Sequence, residues 1–410
     1  MTGGGEIHHV AQTVARRSYG KLVALLSSRT RDLPAAEDAL SEAFAAALKS
    51  WPATGVPDNP EAWLLVAAKR KIIDTQRAAK RNQAASSTIA LLAEEMADLE
   101  LSEIPDHRLA LMFACAHPAI DGNLHAPLML QTVLGFDAAT IASAFLISPA
   151  AMSQRLVRTK TRIRESGIPF RVPERGDLKE RLPNVLEAIY AAYAEGWSDP
   201  AGTDAASREL SSEAIWLGWL VATLLPQEPE ALGLLSLMLH CEARRGARRN
   251  TAGDFVPLSE QDAGLWDTTM IAEAEMLLLK ASKFQDMGRF QLEAAVQSAY
   301  AARRVSGKVD FNAVVKLYDA LFAMTGSAVV AVNRAVAIAE ASGVDEGLAA
   351  LDLASEDSMS QYQPYWSARA HLLARADRLE QARAAYDHAI GLAIDPAIRG
   401  FLQGRKNGLR

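Results

Sequence analysis

The chain has 410 residues, carries 43 Lys and Arg against 49 Asp and Glu for a net charge of −6, and is 50% hydrophobic. That length allows two to four domains with ample core. It has no apolar run of the roughly 18 residues expected of a membrane span and no signal-peptide core in MTGGGEIHHV; nor does it show a convincing alternating strand pattern, so an almost entirely α-helical chain with no membrane association is expected.

Charge and cysteine use narrow the class further. Residues 1–173 carry a net charge of +2 and the remainder −8. The basic residues of the first part cluster. Lys69, Arg70, Lys71, Arg77, Lys80 and Arg81 stand against Asp74, and Arg155–Arg171 holds six more against Glu165. Two basic patches ahead of an acidic remainder suit a nucleic-acid-binding front and a regulatory or protein-binding back. Solvated helix faces are the plain alternative. Cys115 and Cys241 lie far apart and point to a reduced, cytoplasmic protein.

In chain order, residues 6–30 read as one helix, with Val10, Val14, Leu22, Leu25 and Leu26 at apolar positions. A second runs from about Pro34 to Ser50, ended by Trp51-Pro52, and TGVPDNP breaks the chain after it. A third, Glu61–Lys80, opens after Asn59-Pro60 and turns basic toward its end, where cations suit the helix dipole. Residues 82–104 are small, polar and then acidic, and read as a linker with room for a short helix.

Asp106–Ile168 reads as a second helical unit that ends in DAATIASAFLISPAAMSQRLVRTKTRIR (Asp137–Arg164). Ile141, Ala142 and Phe145 give a short first helix an apolar side, and Leu146-Ile147 fills a turn. Ser148 is a good N-cap, with Pro149 at the first helical position. Met152, Leu156, Thr159 and Ile163 then pack inward, leaving Ser153, Gln154, Arg155, Arg158 and Arg162 outside. Such a pair suits a major groove, and a plain helical hairpin has the same pattern.

IPFRVPERGD marks a boundary, and everything after about Leu178 reads as a third unit. It carries a faint repeat: Ala335, Ile338, Gly347, Leu351 and Ala354 recur 35 residues later as Ala370, Leu373, Ala382, Tyr386 and Ala389. Trp366 lies four residues before Ala370, as in tetratricopeptide repeats, and Phe290–Leu321 reads as a degenerate copy. Upstream helices must stack on these copies to make a stable solenoid. An alanine-rich bundle is the alternative.

Three stretches, in this order and spacing, resemble an extracytoplasmic-function-type bacterial sigma factor of the sigma-70 family. AEDALSEAFAAALKSW (Ala36–Trp51) resembles the acidic-aromatic helix of sigma domain 2. NPEAWLLVAAKRKIIDTQR (Asn59–Arg77) resembles the promoter-melting helix that follows, and Asp137–Arg164 the helix-turn-helix of sigma domain 4. RLALMFACAHPAI (Arg108–Ile120), ESGIPFRVP (Glu165–Pro173) and YAEGWSDPAG (Tyr193–Gly202) are similar to a subgroup with a large C-terminal tetratricopeptide-like extension. NRAVAIAE and YWSARAHLLARADRLEQARAAYDHAI also resemble that extension. Ala151-Met152 departs from the small β-branched pair frequent at the start of the recognition helix.

The resemblance implies an all-α fold: two small helical sigma domains, the second a helix-turn-helix, followed by a tetratricopeptide-like helical-repeat domain. The expected bounds are sigma domain 2 at 1–85, a linker at 86–104, sigma domain 4 at 105–170 and the extension at 178–410. The implied function is that of an alternative sigma factor directing promoter-specific initiation, with the extension modulating activity. A sigma factor does no bond-making chemistry.

Its partners would be core RNA polymerase and promoter DNA, with an intramolecular contact between the acidic extension and the basic patches also plausible. Polymerase docking is expected at Glu37, Asp38, Leu40, Glu42, Ala43 and Phe44, where carboxylates flank an apolar stripe and Asp38 and Glu42 share a face. Core packing is the competing reading for Leu40 and the preferred one for Phe44. By resemblance this helix meets the clamp helices of the polymerase largest subunit.

Ser153, Gln154, Arg155 and Arg158 are the candidates for reading the upstream promoter element, since Gln reads adenine and Arg reads guanine. Arg162 and Arg164 suit phosphate. Asn59, Trp63, Lys69, Arg70, Lys71, Asp74, Arg77 and Arg81 are the candidates for the downstream element, where opening needs a positive track and a pocket for an unstacked base. Trp63 could wall that pocket, although an aromatic there is more often core.

An enzyme reading finds little. His8, His9, His107, His117 and His125 form no metal set, and Cys115 and His117 read as core or loop. Gly3-Gly4-Gly5 follows no strand. The Trp216/Trp219 pair and Arg244, Arg245, Arg248 and Arg249 have no matching nucleophile, and the arginines read as a solvated loop. No metal or cofactor is expected. The rival readings are a helix-turn-helix regulator with a repeat-type sensor and no polymerase docking, and a helical scaffold or enzyme with solvated basic faces.

Overall fold

Residues 18–81, 107–145, 147–197, 205–353 and 357–409 are described by a computed structural model. Among them every regular element is a helix, apart from an isolated antiparallel bridge between Arg249 and Phe255. The all-α class is as expected. The chain divides into two units, residues 1–196 and 197–410. The expected linker at 86–104 and the first turns of the first expected helix lie outside the described residues.

The first unit opens with α1, residues 18–30, followed by α2 (Leu33–Thr54) and α3 (Pro60–Arg81). Asp32 caps α2 by accepting the Ala35 N–H at 3.1 Å, and Leu33, Ala36, Leu40, Ala43, Ala47 and Trp51 form its buried stripe. Mostly alanine, that stripe lets α2 and α3 pack closely. α2 runs past Trp51-Pro52, where the sequence suggests a stop. Pro52 forfeits one helical bond near the end, but Trp51 is 1% exposed and its buried indole holds the turn. Gly55 ends the helix at φ 82, its N–H donating to the Trp51 carbonyl at 2.9 Å.

Beyond these come α4 (Arg108–Cys115), α5 (His125–Thr132), α6 (Ala138–Ala144), α7 (Pro149–Glu165) and α8 (Arg175–Trp197). α4 is buried on all sides from Leu109 to Cys115. The two segments expected as separate domains, 1–85 and 105–170, are packed together. A Cβ on Gly20 of α1 would lie 1.9 Å from the Val133 carbonyl oxygen, so the backbones meet where only glycine fits. α8, expected to open the extension, instead lies almost wholly in the first unit. Its Arg181 donates to the Phe113 carbonyl at 3.1 Å and sits over the Phe113 ring.

The second unit is a run of helices: α9 (Ala205–Leu224), α10 (Pro229–Ala243), α11 (Thr268–Ser282), α12 (Arg289–Ala301), α13 (Arg303–Ser306), α14 (Phe311–Thr325), α15 (Ala328–Ala341), α16 (Val344–Leu353), α17 (Gln363–Arg375), α18 (Leu379–Leu392) and α19 (Pro396–Asn407). α10 is buried almost all round and is the pillar of its first half. The two repeat copies fall on the α15/α16 and α17/α18 hairpins. Ala335, Leu351, Ala370, Leu373, Ala382, Tyr386 and Ala389 share one core. Ala354 lies outside the described residues.

The small residues have a physical reason. A Cβ on Gly347 would lie 2.3 Å from Ala339 Cβ. The copies also share ion pairs: Arg334 reaches back to Asp319 at 2.5 Å, and Arg369, its counterpart 35 residues on, reaches back to Asp352.

Arg244, Arg245 and Arg248 are not a solvated loop, contrary to the sequence reading. Their guanidiniums lie 5.4, 4.8 and 4.3 Å from the Trp197 ring centre, and Arg248 donates to the Trp197 carbonyl at 2.8 Å. Arg249 pairs with Asp395 at 3.0 Å. Stacking on an indole half-buries these cations, an outcome that a run of like charges does not disclose.

Candidate nucleic-acid interface

α6 and α7 are joined by a short turn. Asp137 caps α6 by accepting the Thr140 N–H at 2.8 Å, which holds its carboxyl below the ordinary carboxylate range. Ser148 caps α7, accepting the Ala151 N–H at 3.3 Å, and Pro149 stands in its first turn. Ile141, Ala142, Met152, Leu156, Thr159 and Ile163 are buried, and Phe145 is half-buried. Leu146 lies outside the described residues. With the inner face filled, Ser153, Gln154, Arg155, Arg158 and Arg162 are all exposed on the outer one. Arg155 also borders an open cleft of 970 Å³ that Glu187 and Glu195 of α8 line from the other side.

Lys160 behaves differently from the other cations of its patch. It follows Leu156 by four positions and precedes Ile163 by three, so it turns inward with them. Its Nζ donates to Glu37 Oε2 of α2 at 2.5 Å, and the two side chains are only 10% and 12% exposed. Burial pushes the Glu37 carboxyl above its ordinary value, and Lys160 opposes that rise. Arg164 approaches Asp32 at 3.6 Å along the same seam, more openly. The sequence reading missed this pair, since neither residue's identity discloses a partner 123 positions away.

The polymerase candidates therefore divide. Asp38 and Glu42 are exposed on α2, with Glu42 2.6 Å from Lys71. Glu37 faces Lys160. Leu40 is fully buried and belongs to the core, which corrects its assignment to a contact surface. Phe44 is half-buried.

On α3, Asn59 accepts the Ala62 N–H at 3.0 Å and so caps the helix. Trp63 packs edge-on against Trp51 with ring centres 5.6 Å apart. Arg70, Lys71 and Asp74 are exposed. Lys69 is half-buried, its pKa lowered by burial and by Arg29. Arg77 and Arg81 lie on the last turns, with side chains outside the described residues.

Cys115 is fully buried, 3.2 Å from Thr132 Oγ1, and burial pushes its thiol up to about 12. The His125 ring lies 3.1 Å from the Ile120 carbonyl. Cys115 is core, within the core-or-loop reading of the sequence, and His125 is buried too, which the sequence reading did not foresee. No helix among the described residues is long and apolar enough to cross a membrane.

Residues 14–82 match the sigma-70 region 2 family, a span that takes in α1, α2 and α3. The N-terminal segment of this chain belongs to the sigma-70 region 2 family. An uncharacterized protein of Rhizobium meliloti (strain 1021) is 37% identical over 379 residues, which cover 91% of this chain and 89% of the relative. Residues 181–282, from α8 to the end of α11, match a family of unknown function (DUF6596). No solved structure matches the chain. The acidic helix and the tryptophan pair thus lie within the sigma-70 match, whereas α6 and α7 lie outside both matched spans.

Proposed function

We propose that this chain, whose N-terminal segment matches sigma-70 region 2, is an alternative sigma factor of the extracytoplasmic-function type. It would direct promoter-specific initiation by core RNA polymerase, with its second unit acting as a tetratricopeptide-like extension that modulates activity. The observation that carries this reading is the outer face of α7. A capped helix, closed on its inner side, presents Ser153, Gln154, Arg155, Arg158 and Arg162 together, behind an N-terminal segment of the sigma-70 region 2 family.

In this reading Gln154 and Arg155 read base edges of the upstream element, while Arg158 and Arg162 hold phosphates. Asp38 and Glu42 dock on the polymerase from the outer face of α2. Arg70, Lys71 and Asp74 sit nearest the downstream element, with Arg77 and Arg81 extending the track along α3. Trp63, packed on Trp51, steadies α2 against α3.

The test is run-off transcription from genomic fragments with purified core polymerase. Full-length protein should give discrete transcripts that depend on both core and sigma. The Asp38→Lys/Glu42→Lys protein should lose core binding yet keep its helical circular-dichroism spectrum. Duplex DNA binding without any core-dependent transcript would instead make the chain a helix-turn-helix regulator and refute the proposal.

A further inference from the structure

The second unit contains a cavity of 430 Å³ between the 248–260 segment and helices α17, α18 and α19. Small-molecule sites typically enclose roughly 300–1,000 Å³. Three contacts fix its walls. Arg249 pairs with Asp395 at 3.0 Å, their side chains 24% and 13% exposed, and Asp395 also caps α19 by accepting the Ala397 N–H at 2.8 Å. Phe255 and Phe401 meet edge to face with ring centres 5.6 Å apart. Glu260 pairs with Arg405 at the rim. The segment is thus tied down at its start, middle and end, so the cavity is a built feature.

The lining is apolar on most sides. Phe255, Pro364, Ala368, Ile398, Phe401 and Leu402 supply it. Uncharged polar residues interrupt that surface: Ser259, Gln363 and Ser367, the last two bonded to each other at 2.6 Å, together with Tyr386, a residue 3% exposed, and His371, which is exposed. Among the described residues, no protein group hydrogen-bonds the Tyr386 hydroxyl or either ring nitrogen of His371. Tyr386 is buried as a residue and His371 is exposed, so the two offer a hydroxyl and a ring nitrogen that a ligand lying over the apolar floor can engage.

The charges set its class. Both guanidiniums at the cavity are engaged, Arg405 with Glu260, and Arg248 with the Trp197 carbonyl and ring. Desolvation, then Arg375, lowers the His371 pKa and favours the neutral ring. Neither an anion nor a cation finds an uncommitted opposite charge.

We propose that this cavity binds an uncharged, largely aromatic small molecule bearing one hydroxyl or N–H group. The rings lie against Phe255 and Phe401, and the polar group is shared between Tyr386 and His371. The site stands whether or not the chain initiates transcription, since it rests on the second unit alone.

The probe is N-phenyl-1-naphthylamine, an uncharged two-ring aromatic amine that fluoresces on leaving water, titrated into the full-length protein. Saturable binding at one site is expected. Ala368→Trp should fill the cavity and weaken binding more than tenfold. Tyr386→Phe, which keeps the packing, should weaken it about three- to tenfold. Leu353→Ser, at an exposed apolar residue away from the cavity, should leave it unchanged. Melting curves of each variant separate cavity filling from misfolding, and Tyr386→Phe carries the test if Ala368→Trp does not fold. Absence of saturable binding, or binding indifferent to both cavity variants, overturns the site. Tighter binding of 8-anilinonaphthalene-1-sulfonate than of the uncharged probe, lost in the same variants, overturns the ligand class.

Discussion

Replacing Lys160 with Met should loosen the seam between α2 and α7 more than removing Arg164 does. The wild-type pair sits at 2.5 Å with both side chains about nine-tenths buried. Removing one partner of a fully buried pair costs about 3–5 kcal/mol, because the remaining charge is stranded. Glu37 has an escape, since burial already pushes its carboxyl up and it can take a proton. That limits the loss to about 2–3 kcal/mol at pH 7.

The pH dependence has a definite sign. The folded Glu37 pKa lies above its ordinary value of 4.5, and higher still once Lys160 is gone. The folded variant therefore binds a proton that the unfolded chain releases. Its stability falls as pH rises from about 4.5 through the raised value, so the deficit against wild type is smallest near pH 5 and largest near pH 8. Hydrogen exchange of the full-length protein, read by mass spectrometry on peptides from α2 and α7 and normalised to intrinsic rates, measures the opening. A loss of 2–3 kcal/mol corresponds to exchange about 30- to 150-fold faster. Glu37→Gln/Lys160→Met, with no buried charge left, should recover at least half of that. Arg164→Ala is the comparison: its contact with Asp32 is longer and more exposed, worth a few tenths of a kcal/mol at about this geometry. Wild-type exchange in Lys160→Met, or a deficit equal at pH 5 and pH 8, would refute the reasoning.

Three further outcomes are expected. Arg155→Ala should weaken specific promoter binding by about 1–3 kcal/mol with the fold intact, measured by anisotropy over a salt series; unchanged affinity removes Arg155 from the readout. Gly347→Ala should destabilise the α15/α16 hairpin by about 1–3 kcal/mol, because its Cβ would meet Ala339 at 2.3 Å. A urea midpoint equal to wild type would mean that the helices separate freely there. Cys115 should resist iodoacetamide at pH 8 in the native protein, its thiol pushed up to about 12 and fully buried, and should react only on unfolding; rapid native labelling contradicts the packing of α4.

The sequence was most legible where a local rule had a local cause. The Ser148 cap, the inward stripe of α7 and the paired hairpins from Ala335 to Ala389 follow from capping chemistry and helical period. It was least legible where a distant partner overrides a local preference. Trp51-Pro52 looks like a stop, yet the buried indole carries α2 on to Thr54. Lys160 looks like one more surface cation, yet Glu37 draws it inward. The Arg244–Arg249 run looks solvated, yet it closes over Trp197 and Asp395. Leu40 fits an exposed apolar stripe as well as a buried one, and helical period alone does not say which side of α2 faces out. The cavity beneath Phe255 left no linear trace, because its walls come from four separate segments.

The same helices both close the first unit and carry its candidate contacts, and their residue spacing keeps the two roles apart. On α2, Ala36, Leu40, Ala43 and Ala47 face the core and Glu37 meets Lys160, while Asp38 and Glu42 point outward. On α7, Met152, Leu156, Lys160 and Ile163 face inward, and Ser153, Gln154, Arg155, Arg158 and Arg162 face out. The Lys160–Glu37 pair thus uses the inner edges of both helices and covers neither outer face. The proposed polymerase docking through Asp38 and Glu42, and the proposed DNA reading through Gln154 and Arg155, are each compatible with a closed seam. Moving α7 away from α2 must separate that pair, together with the more open Arg164–Asp32 contact beside it. The charge replacements at Lys160 and Arg155 therefore report on different events. The first changes how firmly α7 is held, and the second changes the outer face proposed to read DNA.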